Sequence, residues 1–148
     1  MNRKGFTLVE LLAVIVIIGL LSTIAILSMS RVLEGARKDT YVANANAAIS
    51  AARNDYLIND ASKYVWTLSE VNALLEKKLV NTPFGGTYSS GYVVRATDGS
   101  YGVCLSGSSA AAGGIALTKE ENLNRSSVNI TSAVTCTTPT SQPASIGS

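Results

Sequence analysis

From Leu11 to Ser30 the chain runs for 20 residues without a formal charge, and at about 1.5 Å of rise per residue a helix of that length matches the hydrocarbon thickness of a bilayer. Val14 to Ile18 is β-branched throughout. Such a run makes a poor helix in water, but lipid forces every backbone group to bond internally and so enforces helix. The segment is therefore predicted to be a membrane-competent helix. Glu10 stands at its entry. An acidic side chain at the centre of such a helix costs about 2.5 to 3.5 kcal/mol. Near one end it can reach toward the headgroups, so Glu10 is either an interfacial glutamate or one that has a partner.

The residues in front of the run narrow the choice. Arg3-Lys4-Gly5 form a short basic leader ending in glycine, Phe6 follows, and Glu10 lies four residues further on, just ahead of the aliphatic stretch. This combination resembles the class III signal of type IV pilins and of the pseudopilins of type II secretion and competence systems. The likeness covers Arg3 to about Ser30, roughly a fifth of the chain.

The resemblance implies that a prepilin peptidase cuts between Gly5 and Phe6 and methylates the new Phe6 amine, leaving the apolar helix on the product. A secretory signal would instead be cut after its apolar region, here after Ser30 behind the small residues Ser28 and Ser30, which would put Glu10 inside the signal's core. In the family, the glutamate of one subunit pairs with the N-terminal amine of its neighbour in the filament. An α-amino group of pKa about 7.7 to 8.0 is largely cationic at neutral pH, so Glu10 and the Phe6 amine can neutralise each other in a dry setting. Their i, i+4 spacing also allows the pair to close within one helix. The implied partners are further copies of the chain in a helical filament, the prepilin peptidase, an assembly platform protein, a cytoplasmic ATPase and the membrane. The implied location is the inner or cytoplasmic membrane as a single-pass precursor, then an extracellular surface filament.

Beyond the run the helix is predicted to continue. There is no proline from Val32 to Leu57, and Val42, Ala45, Ile49, Ala52 and Tyr56 recur at alternating spacings of three and four, an apolar stripe on one face. Gly35 is the weak spot, and Asn59-Asp60 ends the helix. Ala13, Gly19, Ser22 and Thr23 are small enough for neighbouring helices to approach in lipid. Family members with proline at the position of Leu27 unwind near Gly19; with leucine here, that unwinding is left open. Thr67 and Glu70 have capping-box spacing ahead of a second helix whose apolar face is Val71, Leu74, Leu75 and Leu79. Tyr92–Ala96, the Asp98-Gly99 turn and Tyr101–Leu105 read as a β-hairpin. Ile115–Leu117 reads as a weak third strand, Val128, Ile130, Val134 and Cys136 as one face of a better one, and Thr118–Glu121 as a helical turn between them. Ser108–Gly114 reads as small and flexible.

The predicted fold is thus α+β and pilin-like: a long N-terminal helix, membrane-spanning in its first half and packed by its second half on a small antiparallel sheet. The expected divisions are a leader at 1–5, a transmembrane or filament-core helix at 6–30, a globular domain at 31–136 including the outer half of the helix, and a flexible C-terminal tail at 137–148.

Composition limits the chemistry. Twelve basic side chains less Arg3 and Lys4 leave ten against ten acidic ones, a neutral body without the clustered charge that nucleic acid requires. Arg37-Lys38 and Lys77-Lys78 are the remaining basic pairs, so DNA is a partner that charge does not support. With no histidine there is no Ser-His-Asp triad or histidine metal site, and two cysteines alone do not make a zinc site. No serine stands three residues before a lysine, and the Gly-Gly pairs lack phosphate-loop context. No enzyme, cofactor or metal is expected. Asn124-Arg125-Ser126 and Asn129-Ile130-Thr131 match the short glycan-acceptor pattern, which arises often by coincidence. Cys104 and Cys136 resemble the disulfide bounding the C-terminal region of many pilins; free thiols are the other possibility. The reading is a type IV pilus subunit serving adhesion, motility or DNA uptake. The alternatives are a pseudopilin, or a monomeric membrane-anchored binding domain in which Tyr88, Tyr92 and Tyr101 could serve binding, although core packing accounts for at least two of them.

Overall fold

The computed structural model describes residues 7–147, so the leader and Phe6 lie outside the described residues. One helix, α1, runs from Leu8 to Ile58. It is unbroken through Gly19 and Gly35, and Ser22, Thr23 and Ser30 donate their hydroxyls back to the carbonyls of Ile18, Gly19 and Ile26, as hydroxyl side chains in a helix do when no other acceptor is near. The helix ends where expected, with the Asn59 amide bonded to the Asp55 carbonyl and the Asn59 side chain to that of Asp55.

Residues 37–148 form a compact unit by themselves. In it, five antiparallel strands lie in sequential order: β1 Val65–Thr67, β2 Tyr88–Arg95, β3 Tyr101–Gly107, β4 Gly114–Lys119 and β5 Val128–Asn129. The short helix α2, Leu68–Leu74, follows β1 directly. Alternation along β2 and β3 sorts their residues onto two faces. Val93, Tyr101, Val103 and Leu105 join Tyr41, Ala45, Ala48, Ile49 and Ala52 of α1 and Trp66 of β1 in the main core. Tyr92, Val94, Ala96 and Cys104 line the opposite face. The apolar stripe read from the helix is thereby covered, and Tyr88, Tyr92 and Tyr101 are all buried. Within this core Tyr41 donates its hydroxyl to the Gly113 carbonyl at 3.1 Å, and burial pushes the Tyr41 phenol well above its ordinary range and raises that of Tyr88.

The hairpin turn is as read. Gly99 has φ +86°, the left-handed region open to glycine at little cost, and Asp98 accepts the Ser100 amide at 2.8 Å. The Thr67–Glu70 capping box closes in both directions, and the helical turn lies at Glu120–Asn122.

Three expectations are corrected, and one strand is added. The strand expected over Val128–Cys136 stops at Asn129, because Asn129 Oδ1 accepts the amides of Thr131 and Ser132 and turns the chain away. Ser108–Gly114 is an ordered turn, with Ser109 capping Ala110–Ala112 and Ala112 buried. α2 ends at Leu74, and Leu79 reaches the core from the following loop, held by the Asn72 side chain on both its amide and its carbonyl. Strand β1 was not read at all, although Tyr64-Val65-Trp66-Thr67 is a β-prone run. The segment read as a flexible tail is laid on the sheet: Thr97 and Asp98 donate their amides to the carbonyls of Pro143 and Ala144, and Ile146 is buried.

Candidate functional site

The start of α1 carries the chemistry that the sequence singles out. Thr7 precedes the first helical residue, and Glu10 sits in the first turn. Glu10 Oε2 accepts the Thr7 amide at 2.9 Å and the Thr7 hydroxyl at 3.0 Å, while Thr7 Oγ1 accepts the Glu10 amide at 3.3 Å. This reciprocal pattern is a capping box, which satisfies two of the donors that every helix leaves orphaned at its N-terminus. The carboxylate thus holds the helix start while facing outward. Thr7 was missed as a functional residue, yet its signal is plain, since Thr7-x-x-Glu10 repeats the spacing of Thr67-x-x-Glu70. Gly5 and Phe6, the expected processing pair, lie outside the described residues, so the Glu10–Phe6 pairing has no geometry here.

Beyond Glu10 the helix presents apolar side chains on every side. From Leu8 to Val32 the described large apolar side chains are between 47% and 80% exposed. A helix hydrophobic all round belongs in a core or in lipid, and α1 is long and apolar enough to cross a membrane.

In the unit of residues 37–148, the structure brings Cys104 and Cys136 together as a disulfide with Cα atoms 5.7 Å apart. Cys104 is buried on β3, and Cys136 lies in the segment that crosses the far face of the sheet. Two ion pairs fix the 120–127 segment to α1: Arg53 with Glu120, and Arg125 with Asp39, where two nitrogens of the guanidinium meet the two carboxylate oxygens at 2.5 Å each. That guanidinium holds the Asp39 carboxyl below its usual range. A groove of about 630 Å³ runs between α1 and the 74–83 loop, with Asn44, Ser50, Asn54, Glu76, Lys77 and Lys78 among its lining residues. Both glycan-acceptor asparagines are engaged in turns with their own third residue, Asn124 with Ser126 and Asn129 with Thr131. Among the described residues no three potential ligands cluster as a metal site would need.

Residues 1–26 match the family model of the prokaryotic N-terminal methylation motif. The chain carries the N-terminal signal found on type IV pilin-like precursors. The motif is a class III signal, the kind that implies processing by a prepilin peptidase, and the apolar helix that follows fits a membrane-anchored precursor. The fold agrees, with the outer part of a long helix packed on a small antiparallel sheet. No curated protein and no solved structure matches the chain significantly.

Proposed function

We propose that this pilin-like chain is a structural subunit of a type IV pilus. The prepilin peptidase cuts between Gly5 and Phe6, the Phe6 amine is methylated, and the processed chain is drawn from the membrane by a platform protein and an ATPase into a surface filament. The work is assembly, serving adhesion, motility or DNA uptake. The observation that carries this reading is the class III signal joined to a helix that is apolar on every side from Leu8 to Val32. Copies of the same helix would cover one another, much as apolar faces are removed from water in any core.

In that assembly Glu10 meets the Phe6 amine of a neighbouring copy. The amine exists only after Gly5 is removed, so processing creates the missing cation. Until then Glu10 is occupied by Thr7. Stranding one member of a buried ion pair costs about 3 to 5 kcal/mol, far more than an exposed pair is worth.

Electron microscopy and immunoblotting of sheared surface fractions test the proposal in strains carrying Glu10→Gln. That variant keeps an oxygen for the Thr7 donors but loses the charge. Filaments containing the protein are expected from the parent strain and are expected to be lost in the variant. Wild-type filament yield from Glu10→Gln would remove the charge pair. Protein found only in membranes and never in sheared fibres would remove the pilus reading, leaving a pseudopilin or a lone anchored domain.

A further inference from the structure

The far face of the sheet, Tyr92, Val94, Ala96 and Cys104, is apolar; Tyr64, Val65, Val134 and Cys136 pack against it, and Ile146 completes the cluster. Residues 137–147 return across it as an extended strap without helix or strand. Most of the strap is exposed. Its one deeply buried side chain is Ile146, 5% exposed.

Ile146 has a made-to-measure seat. Gly102 pairs with Val94 across β2 and β3 and so lies on the far face. A Cβ added to Gly102 would stand 2.8 Å from Ile146 Cγ2 and 3.1 Å from Leu117 Cδ1. Any side chain there would meet Ile146, so the missing one leaves a notch that Ile146 fills. A register irregularity of β4 against β3, between Val103 and Leu105, falls at Ala116 and Leu117, and Leu117 forms the other wall.

Between its ends the strap is held by single hydrogen bonds. Thr97 and Asp98 donate their amides to Pro143 and Ala144 at 3.0 and 3.3 Å, and the Thr97 hydroxyl reaches Ala144 at 3.1 Å. The Gln142 side chain donates to the Arg95 carbonyl at 3.1 Å, and the Tyr64 hydroxyl to the Thr140 carbonyl at 3.2 Å. The strap is therefore fastened at two points of different kinds, a covalent bond at Cys136 and an apolar plug at Ile146.

We propose that the strap is a hinged cover, with the Cys104–Cys136 disulfide as its pin and Ile146, seated in the Gly102 notch, as its catch. Release of the catch frees residues 137–147 from the hairpin and uncovers the Gly102 notch opposite Val94, while the disulfide keeps the strap tethered for reclosure. Such an opening is a local event, costing less than global unfolding because it breaks few buried contacts. The inference concerns residues 37–148 alone and stands independently of filament assembly.

Amide hydrogen exchange on the full-length chain in detergent micelles tests it. Ile146→Ser is expected to speed exchange of the Thr97 and Asp98 amides by about tenfold or more, with the Val103 and Leu105 amides unchanged and no free thiol released. Gly102→Ala, which fills the notch without changing any strap residue, is expected to do the same. Cys104→Ser with Cys136→Ser is expected to leave the Thr97 and Asp98 amides protected, because the catch remains. Unchanged exchange at Thr97 and Asp98 in both Ile146→Ser and Gly102→Ala would overturn the proposal. So would equal acceleration of Val103 and Leu105, which would make Ile146 an ordinary core residue, or loss of protection on removing the disulfide alone.

Discussion

Thr7 and Glu10 close a reciprocal pair at the start of α1, the carboxylate taking both Thr7 donors and the threonine hydroxyl taking the Glu10 amide. A carboxylate near a helix N-terminus is also favoured by the helix dipole. In the unassembled chain Glu10 is thus a helix cap, and the proposed neighbouring amine would have to compete for it. Replacing Thr7 with alanine removes the hydroxyl half of the box, which costs about 1 kcal/mol in comparable caps. The expected outcome is faster amide exchange over residues 8–11 of the micelle-bound chain, with residues 41–52 unaffected.

Trp66 is fully buried, and its indole donates to Asp55 Oδ2 at 2.7 Å. The same carboxylate accepts the Asn59 side chain, and these two bonds hold the Asp55 carboxyl below its ordinary range. The pair joins the end of α1 to β1, the element absent from the sequence reading. Trp66→Phe leaves a cavity and removes a hydrogen bond to a charged group, and the expected loss of stability is about 2 to 3 kcal/mol. Denaturant unfolding of the detergent-solubilised chain, followed by near-ultraviolet circular dichroism, measures it; a loss below about 0.5 kcal/mol would contradict this role for Trp66.

What was legible in the sequence followed from periodicity and local chemistry. The stripe from Val42 to Tyr56 announced the buried face of α1, and Asp98-Gly99 announced its hairpin, because each signal is complete within a few residues. The misread segments depend on contacts far along the chain. Val128 to Cys136 alternates like a strand, but Asn129 turns it, and the remaining residues find the far face of the sheet instead of a strand partner. Prolines and small polar residues made 137–148 look mobile; Ile146 looked unremarkable without knowledge that Gly102 leaves space for it. At the candidate site, Glu10 was legible as a misfit in an apolar helix. The role of Thr7 follows from the orphan donors of the helix start, which Glu10 and Thr7 satisfy for each other.

The disulfide joins residues 32 apart in sequence. Loop-closure entropy gives a bond of that span a stabilisation of about 3 to 4 kcal/mol, in a model-dependent way. Cys104→Ser with Cys136→Ser is expected to lower stability by that order while leaving the hairpin in place, since Ile146 remains seated in the Gly102 notch. Unfolding midpoints of the oxidised and double-serine chains make the comparison. Two titratable thiols in the denatured, unreduced protein would show that the bond does not form in the cell.

Acid should weaken the second helix before it reaches the rest of the domain. Glu70 accepts the Lys63 ammonium at 2.7 Å and closes the capping box on Thr67, and these contacts, the ammonium foremost, hold its carboxyl down at about 2 against an ordinary 4.5. A group depressed on folding adds stability that is present above its unfolded pKa and is lost as pH falls toward the folded value. The relevant window is therefore about pH 4.5 down to about 2. Because the Glu70 side chain is 46% exposed, solvent screening reduces the full linkage value, and about 1 kcal/mol is expected. Glu70→Gln should flatten the pH dependence of stability across that window by this amount while leaving stability at neutral pH lower than in the parent. An unchanged slope between pH 4.5 and 2 would show that the Lys63–Glu70 contact does not persist in solution.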